Sequence, residues 1–393
     1  MTGHLASVGG VVSMALVGSL ALAASSAAAS TERPGWTDVS ATGMSVSAGG
    51  ANNTLRGVSA VSPSDAWAVG FRTKDQGQVY QTLTQHWNGS EWTTVASPNP
   101  PGEPVSDLLA VAAVSSSDVW AVGNTGIAET ANTLIEHWNG RKWSILPSFP
   151  GELYGVTAVA EDDVWAVGNY YVAGSSKTQI LHWNGKAWAK VESPDLYGHL
   201  NAVTVVSADD VWAAGFTFDG STNKTLIEHW DGSEWRTVAS PRPRGFGELY
   251  GISATSADDI WAVGEYASKT QQRTLTLHWN GSAWKKIVSK LPPRDTNPFL
   301  FGVSAASASQ VWAVGFRLNT NETLASRWNG STWAQVDSPS PTGQAILWGI
   351  EAVSAKNAWA VGTVNDGLGG AVSLIEHWDG KAWTIMESPR AAQ

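Results

Sequence analysis

The sequence predicts an all-β protein, a seven-bladed β-propeller of four-stranded antiparallel blades, and three observations carry that prediction. The heptapeptide Asp-Val-Trp-Ala-Val-Gly-Asn stands at Asp118 to Asn124 and again at Asp163 to Asn169, and near copies elsewhere bring the number to seven. The central Trp of each copy (Trp67, Trp120, Trp165, Trp212, Trp261, Trp312 and Trp359) follows its predecessor by 45 to 53 residues, a period typical of repeat architectures. Each copy contains four short β-type runs separated by turn residues and no stretch of helical periodicity, which is the content of a propeller blade.

The chain opens with 30 residues free of Lys, Arg, Asp and Glu, with an apolar stretch from Val11 to Ala23 and small residues at Ala27, Ala28 and Ala29. This predicts a signal peptide over residues 1–29 and a secreted, extracellular protein; the competing reading, an uncleaved anchor, meets a stretch below spanning length. Residues 30–54 form an N-terminal segment in which Gly35 to Ala41 matches an outer strand. It is surplus to the seven repeats, so it is a candidate closing strand at the seam between the first and last blades. The blades are expected at about 55–98, 108–147, 153–194, 200–241, 249–292, 300–339 and 347–389, within a propeller spanning 55–390.

Within a blade the strands are named A to D from the inside out. In the third they are expected at Gly155 to Ala160, Val164 to Gly168, Thr178 to Trp183 and Trp188 to Ser193. Strand A is built from small residues, as in Gly57-Val58-Ser59-Ala60, which suits the crowded axis of a ring. Strands B and C carry the Trp, so side-chain volume grows outward as a wedge requires. A linear solenoid is the alternative, but it needs polar capping repeats, and the first and seventh copies look like the others.

The passage His137 to Pro150, HWNGRKWSILPSFP, leading into LYGVTAVAEDDVWAVGN, resembles the kelch-type repeat, in which a Trp opens the outer strand and a glycine closes the second. It is also similar to the tectonin-type repeat of propeller lectins, whose signature pairs a VWAV-like strand with a WNG-x-x-W hairpin. The resemblance covers residues 55 to 390 and implies the propeller fold. The chain departs from kelch in having one glycine after strand B, and from tectonin in its longer period.

Repeated polar residues read as structure. His86, His137, His182, His229, His278 and His377 precede the Trp of strand C, with Arg327 in the remaining blade. A ring would hold them a blade width apart, too far to share a metal ion, so each is expected to be partly buried with a hydrogen-bonded ring nitrogen. Asp65, Asp118, Asp163, Asp210 and Asp259 suit turns in which the carboxylate accepts backbone N–H groups. Asn-Gly and Asp-Gly between strands C and D are hairpin signals, so the triplets at Asn88, Asn280 and Asn329 are read as turns before glycan acceptors.

The net charge of −10 and the scattered Lys and Arg argue against nucleic acid and anionic membrane surfaces as partners. No cysteine is present, which excludes disulfides, a thiol nucleophile and a Cys–Tyr copper site. No GxSxG, HExxH, dinucleotide fingerprint, calcium loop or Asp box occurs, and no metal or cofactor is expected.

In an up-and-down blade the A–B and C–D turns share one face while the B–C and D–A connections share the other. The first pair is short and nearly constant; the second varies, as between Pro147–Glu152 and Ser240–Glu248. Variable loops on a rigid scaffold are where binding is usually placed. On that face lies the start of strand A, where the residue after the fixed Leu is Arg56, Leu109, Tyr154, Asn201, Tyr250, Phe301 and Trp348. Four are aromatic, suited either to stacking on a sugar or other flat ligand or to plugging the channel mouth. Glu351 breaks the run of Ser and Thr in strand A (Ser59, Thr157, Thr204, Ser253, Ser304) and is a candidate ligand contact or salt-bridge partner. His199, outside the repeated set, is expected in a solvated D–A loop and is a candidate acid, base or ligand contact. The reading is a monomeric, secreted, non-enzymatic binding propeller for a glycan or protein. The alternatives are a polysaccharide lyase or glycoside hydrolase using Glu351 and His199 with a Tyr, and a structural cell-surface module.

Overall fold

The computed structural model describes residues 52–74, 78–268, 271–288, 297–365 and 370–389. These form seven four-stranded antiparallel sheets, each made of four consecutive strands with the first innermost. The A strands are Asn52–Ser62, Ser106–Ser115, Glu152–Ala160, Gly198–Ser207, Gly247–Ser256, Pro298–Ser307 and Gln344–Ser354. The B strands start at Asp65, Asp118, Asp163, Asp210, Asp259, Gln310 and Asn357, and the C strands end at the Trp of the HWNG-like turn. The D strands are only three or four residues long, from Trp92–Val95 to Trp383–Ile385.

The expected strands of the third blade are present, but A begins earlier, at Glu152, and B runs on to Val172. The extension exists because Ala173 and Gly174, at φ 49° and 77°, close a two-residue hairpin between Val172 and Ser175. A turn with both central residues at positive φ matches the strand twist and lets the ladder continue to its tip. The C–D turns are equally local: the side-chain oxygen of Asn88 accepts from the Ser90 and Glu91 amides at 2.9 and 3.0 Å, ahead of Gly89 at φ 93°.

Trp packing between blades holds the ring. Each strand-B Trp is 1–3% exposed and sits on the two Trp of the next blade. Trp165, for example, meets Trp230 at 5.2 Å between centroids and Trp235 at 5.5 Å, the latter edge-on at 72°. The same triplet recurs at all seven junctions, and the last one joins Trp359 to Trp87 and Trp92. The circle is therefore closed, and a linear solenoid is excluded. Among the described residues, Trp348 is the one Trp outside these triplets.

The strand-C His lies over the strand-B Trp of its own blade, as His229 does over Trp212 at 4.1 Å. Its Nε2 meets the carboxylate that opens strand B: Asp210 at 2.8 Å, with equivalent contacts at Asp65, Asp118, Asp163 and Asp259. The expectation for the His holds. For these Asp it is corrected, since each carboxylate takes the His ring. Where the Asp is replaced, the partner or the donor changes with it: Gln310 bonds to Arg327, and Asn357 to His377.

The single glycine that ends strand B has a steric cause. In every blade the A–B pairing skips one residue, as between Leu153 and Gly155, and such a bulge kinks strand A toward its neighbour. A Cβ on Gly168 would lie 1.9 Å from the Glu152 carbonyl oxygen and 2.9 Å from Leu153 Cα. The obstructing atoms are backbone, so no rotamer change relieves them. Gly168→Ala is expected to cost about 3 kcal/mol, the upper end of the overpacking range, measured by denaturant unfolding against the wild type.

Gly35 to Ala41, the candidate closing strand, lies outside the described residues, as does the expected signal peptide over 1–29. Among the described residues the seam needs no shared strand. The first blade has its own D strand from Trp92 and the seventh its own from Trp383, and Ser388 bonds to Gln85 across the junction at 3.2 Å.

Candidate ligand site at the channel mouth

The strand-A bulge decides what faces the mouth. The skipped residue is Arg56, Leu109, Tyr154, Asn201, Tyr250, Phe301 or Trp348 in successive blades. A bulge leaves its extra residue outside the ladder and re-aims its side chain, and all seven are half-buried. Four of them join from blade to blade. Tyr250 lies 5.4 Å from Phe301, Phe301 lies 4.5 Å from Trp348, and the Arg56 guanidinium lies 4.0 Å above the Trp348 ring. Phe299 and Phe316 back this crescent by stacking on Phe301 at 6.0 and 5.8 Å.

The other arc is polar, and sequence reading missed most of it. Two residues before the bulge stand Asp107, Glu152, His199 and Glu248, all buried, and Glu265 faces Glu248 across the ladder. The Tyr154 hydroxyl donates to Glu152 at 2.6 Å and Tyr171 to the same oxygen at 3.3 Å. The Tyr250 hydroxyl lies 2.6 Å from Glu248 and 2.7 Å from Glu265, and Asn223 and Gln272 also donate to this pair. The signal was available: the residue before the fixed Leu varies from Thr54 through Asp107 and Glu152 to Ile346, and is acidic in three blades.

Burial sets the charge states. It pushes Asp107 up to about 7 against the pull of Arg56, and Glu265 up to about 7 against its hydrogen bonds from Gln272 and Tyr250. Glu152 and Glu248 are also raised by burial, and their phenol donors oppose the rise. Arg56 falls to about 10 through desolvation, with Asp107 acting the other way.

His199 is corrected in both place and state. It lies in strand A, 9% exposed, stacked between Tyr154 at 5.7 Å and Phe216 at 4.9 Å. Burial lowers it to about 4, so it is neutral at physiological pH. Glu351 sits deeper: it pairs with Trp359, the register held in the fourth blade by Thr204, five residues beyond His199. That offset is on the order of 15 Å of strand rise, and three blades separate the two around the ring. The structure therefore brings Arg56, Tyr250, Phe301 and Trp348 together and joins Tyr154 to His199. It leaves Glu351 apart, with burial raising its carboxyl to about 7 and no hydrogen bond or ion pair among the described residues. Nor do three His, Asp or Glu side chains gather as metal ligands among the described residues.

No protein-family model matches the chain, and no curated protein sequence is similar to it. Solved propellers are similar in fold. YCF48 bound to D1 peptide superposes with a TM-score of 0.53 at 16% identity, over 79% of this chain and 91% of that one. The GH74 xyloglucanase from Xanthomonas campestris gives 0.56 at 16%, over 82% and 53%. A PL25 ulvan lyase bound to a sulfated disaccharide repeat gives 0.56 at 10%, over 86% and 96%. At these identities the likeness is one of fold.

Proposed function

We propose that this chain is a secreted, non-enzymatic binding propeller whose ligand, a glycan or a protein, sits at the channel mouth on the face of the B–C and D–A loops. The observation that carries the reading is the bulged position. A device repeated seven times places a half-buried side chain at the mouth, and at this position the repeat abandons its sequence for Arg56, Tyr250, Phe301 and Trp348 in contact. Structural positions such as the Trp triplets keep their residue type in every blade; this one does not. The kelch-like and tectonin-like resemblance, the leader over residues 1–29 and a monomeric state belong to the same reading. The related folds include one with a bound peptide and one with a bound saccharide, so the architecture accommodates either ligand.

A lyase or hydrolase built on Glu351 and His199 is the weaker reading, because acid–base groups must reach one substrate together and these two lie at different levels of the ring. Glu248 and Glu265 are closer to each other, but they are 5% and 2% exposed and share the Tyr250 hydroxyl between them. Trp348→Ala, Tyr250→Ala and Tyr154→Ala are each expected to weaken ligand capture on a glycan array and a peptide array, Trp348→Ala by tenfold or more. Unchanged binding in all three would remove the site.

A further inference from the structure

The two arcs of the mouth narrow the ligand class, on the premise that the mouth is the binding site. We propose that it takes an uncharged saccharide, with a ring face on Trp348 and Phe301 and hydroxyls on Arg56 and the polar arc, and that it discriminates against acidic sugars.

Three observations converge. The aromatic crescent offers flat, half-buried faces, the surface on which the C–H face of a pyranose packs. Opposite it stand groups of both hydrogen-bonding kinds: a donor at Arg56, and acceptors at Asp107 and at the Tyr154 and Tyr250 phenol oxygens, whose own protons go to Glu152 and Glu248. A hydroxyl donates and accepts, so it satisfies either kind. Arg56 Nε is buried without a hydrogen-bond partner, and the guanidinium makes no ion pair among the described residues, so this planar donor is unfilled.

The charge balance decides between sugars. Asp107 is the carboxyl whose charge acts on the Arg56 guanidinium, in a chain of net charge −10. A uronate or sulfate on Arg56 would lose its hydration beside Asp107, whose field already acts on that guanidinium. An ammonium group fares no better: Tyr154, Tyr171, Tyr250, Asn223 and Gln272 already occupy the Glu152, Glu248 and Glu265 carboxylates. A peptide adding as a strand would need free backbone amides on strand A. Those of Ala113, Ala305 and Ala352 bond instead to Ser59, Ser253 and Ser304 of the preceding blade, at 3.1, 3.1 and 2.9 Å.

Calorimetric titration of the full chain with neutral gluco- and manno-oligosaccharides, size-matched uronate oligosaccharides and a Lys/Arg-rich peptide tests this. The wild type is expected to bind a neutral oligosaccharide at least tenfold more tightly than its acidic counterpart. Trp348→Ala should lose that binding, and Asp107→Asn, which keeps an acceptor for the Asn124 amide, should narrow the preference at least threefold. Equal or tighter binding of the uronate, capture of the peptide alone, or an unchanged preference in Asp107→Asn overturns the inference. If Trp348→Ala still weakens capture of an acidic or peptide ligand, the mouth stands as the site and only the ligand class falls. If Trp348→Ala, folded by circular dichroism, alters binding of nothing that the wild type binds, or if the wild type binds none of the three, the site reading falls with it.

Discussion

Trp359→Ala will destabilise the propeller by about 3 to 5 kcal/mol, the range for truncating a fully buried Trp, and will do more damage than the same change at Trp165. Both rings are at most 2% exposed and both sit on two Trp of the following blade. The difference is connectivity. Between the third and fourth blades a short covalent D–A connector holds the sheets together when the packing is weakened. Between the seventh and first there is no connector, and the junction rests on Trp359 against Trp87 and Trp92, on Leu55, Val58 and Ile375 around them, on Arg56 over Trp348, and on the Ser388–Gln85 and Ala371–Asn52 bonds. Loss of that ring removes packing where no linker limits separation, so the chain must close a loop of several hundred residues on the remaining contacts. Denaturant unfolding should give the larger loss for Trp359→Ala, and hydrogen exchange should show Leu55 to Val69 and Trp359 to Trp378 opening before the other blades. Equal losses and uniform protection in the two variants would show that closure contributes nothing beyond local packing.

Much of this was legible because the repeat multiplies every local signal by seven. One blade's DVWAVG is only a short apolar run; seven at near-constant spacing fix strand number, order and the ring. The fixed Gly168 could be read as a strand end, but its cause, the strand-A bulge, could not: a bulge is a relation between two strands, and neither sequence alone displays it. For the same reason the Asp163–His182 pair was read as two separate residues, 19 apart in the chain but joined across the B–C ladder. At the mouth, sequence variability exposed Arg56, Tyr154, Tyr250, Phe301 and Trp348. It did not expose Glu152 or Glu248, since an acidic residue at a strand start looks like a solvated loop end until the bulge folds it under a Tyr. His199 was misplaced by the same cause, because strand A begins at Gly198, ahead of the Leu taken as its start.

The stability of the ring will fall as pH rises from about 6.5 to 8, and three glutamates buried inside the sheets will account for most of the slope. Glu136, Glu228 and Glu376 occupy the strand-C position two residues before the Trp, each 0% exposed. Neither carboxyl oxygen of Glu136 or Glu228 has a hydrogen-bond partner, while Glu376 accepts from Ser338 at 2.7 Å. Burial pushes all three up to about 8, from an ordinary value of 4.5. The folded state therefore keeps protons that the unfolded chain releases between 4.5 and 8, so each group costs about 1.4 kcal/mol of stability per pH unit across that interval. Above 8 the folded groups ionise too and the slope ends. His199 works in the opposite sense on the acid side: lowered to about 4, it adds stability as pH rises from 4 to 6.5, which makes 6.5 to 8 the clean window. Gln is a fair replacement, because Gln85 fills this position in the first blade, equally buried and hydrogen-bonded to Ser388, and Leu181 and Leu277 fill it in two others. The combined Glu136→Gln, Glu228→Gln and Glu376→Gln variant should lie nearest the wild type at pH 5 and exceed it progressively up to pH 8. Its remaining slope should come from groups such as Asp107, Glu265 and Glu351, raised to about 7. Melting temperatures measured at half-unit steps from pH 5 to 9 decide it: parallel curves for the two proteins would mean that these carboxyls are ionised and solvated in the folded state, contrary to their burial.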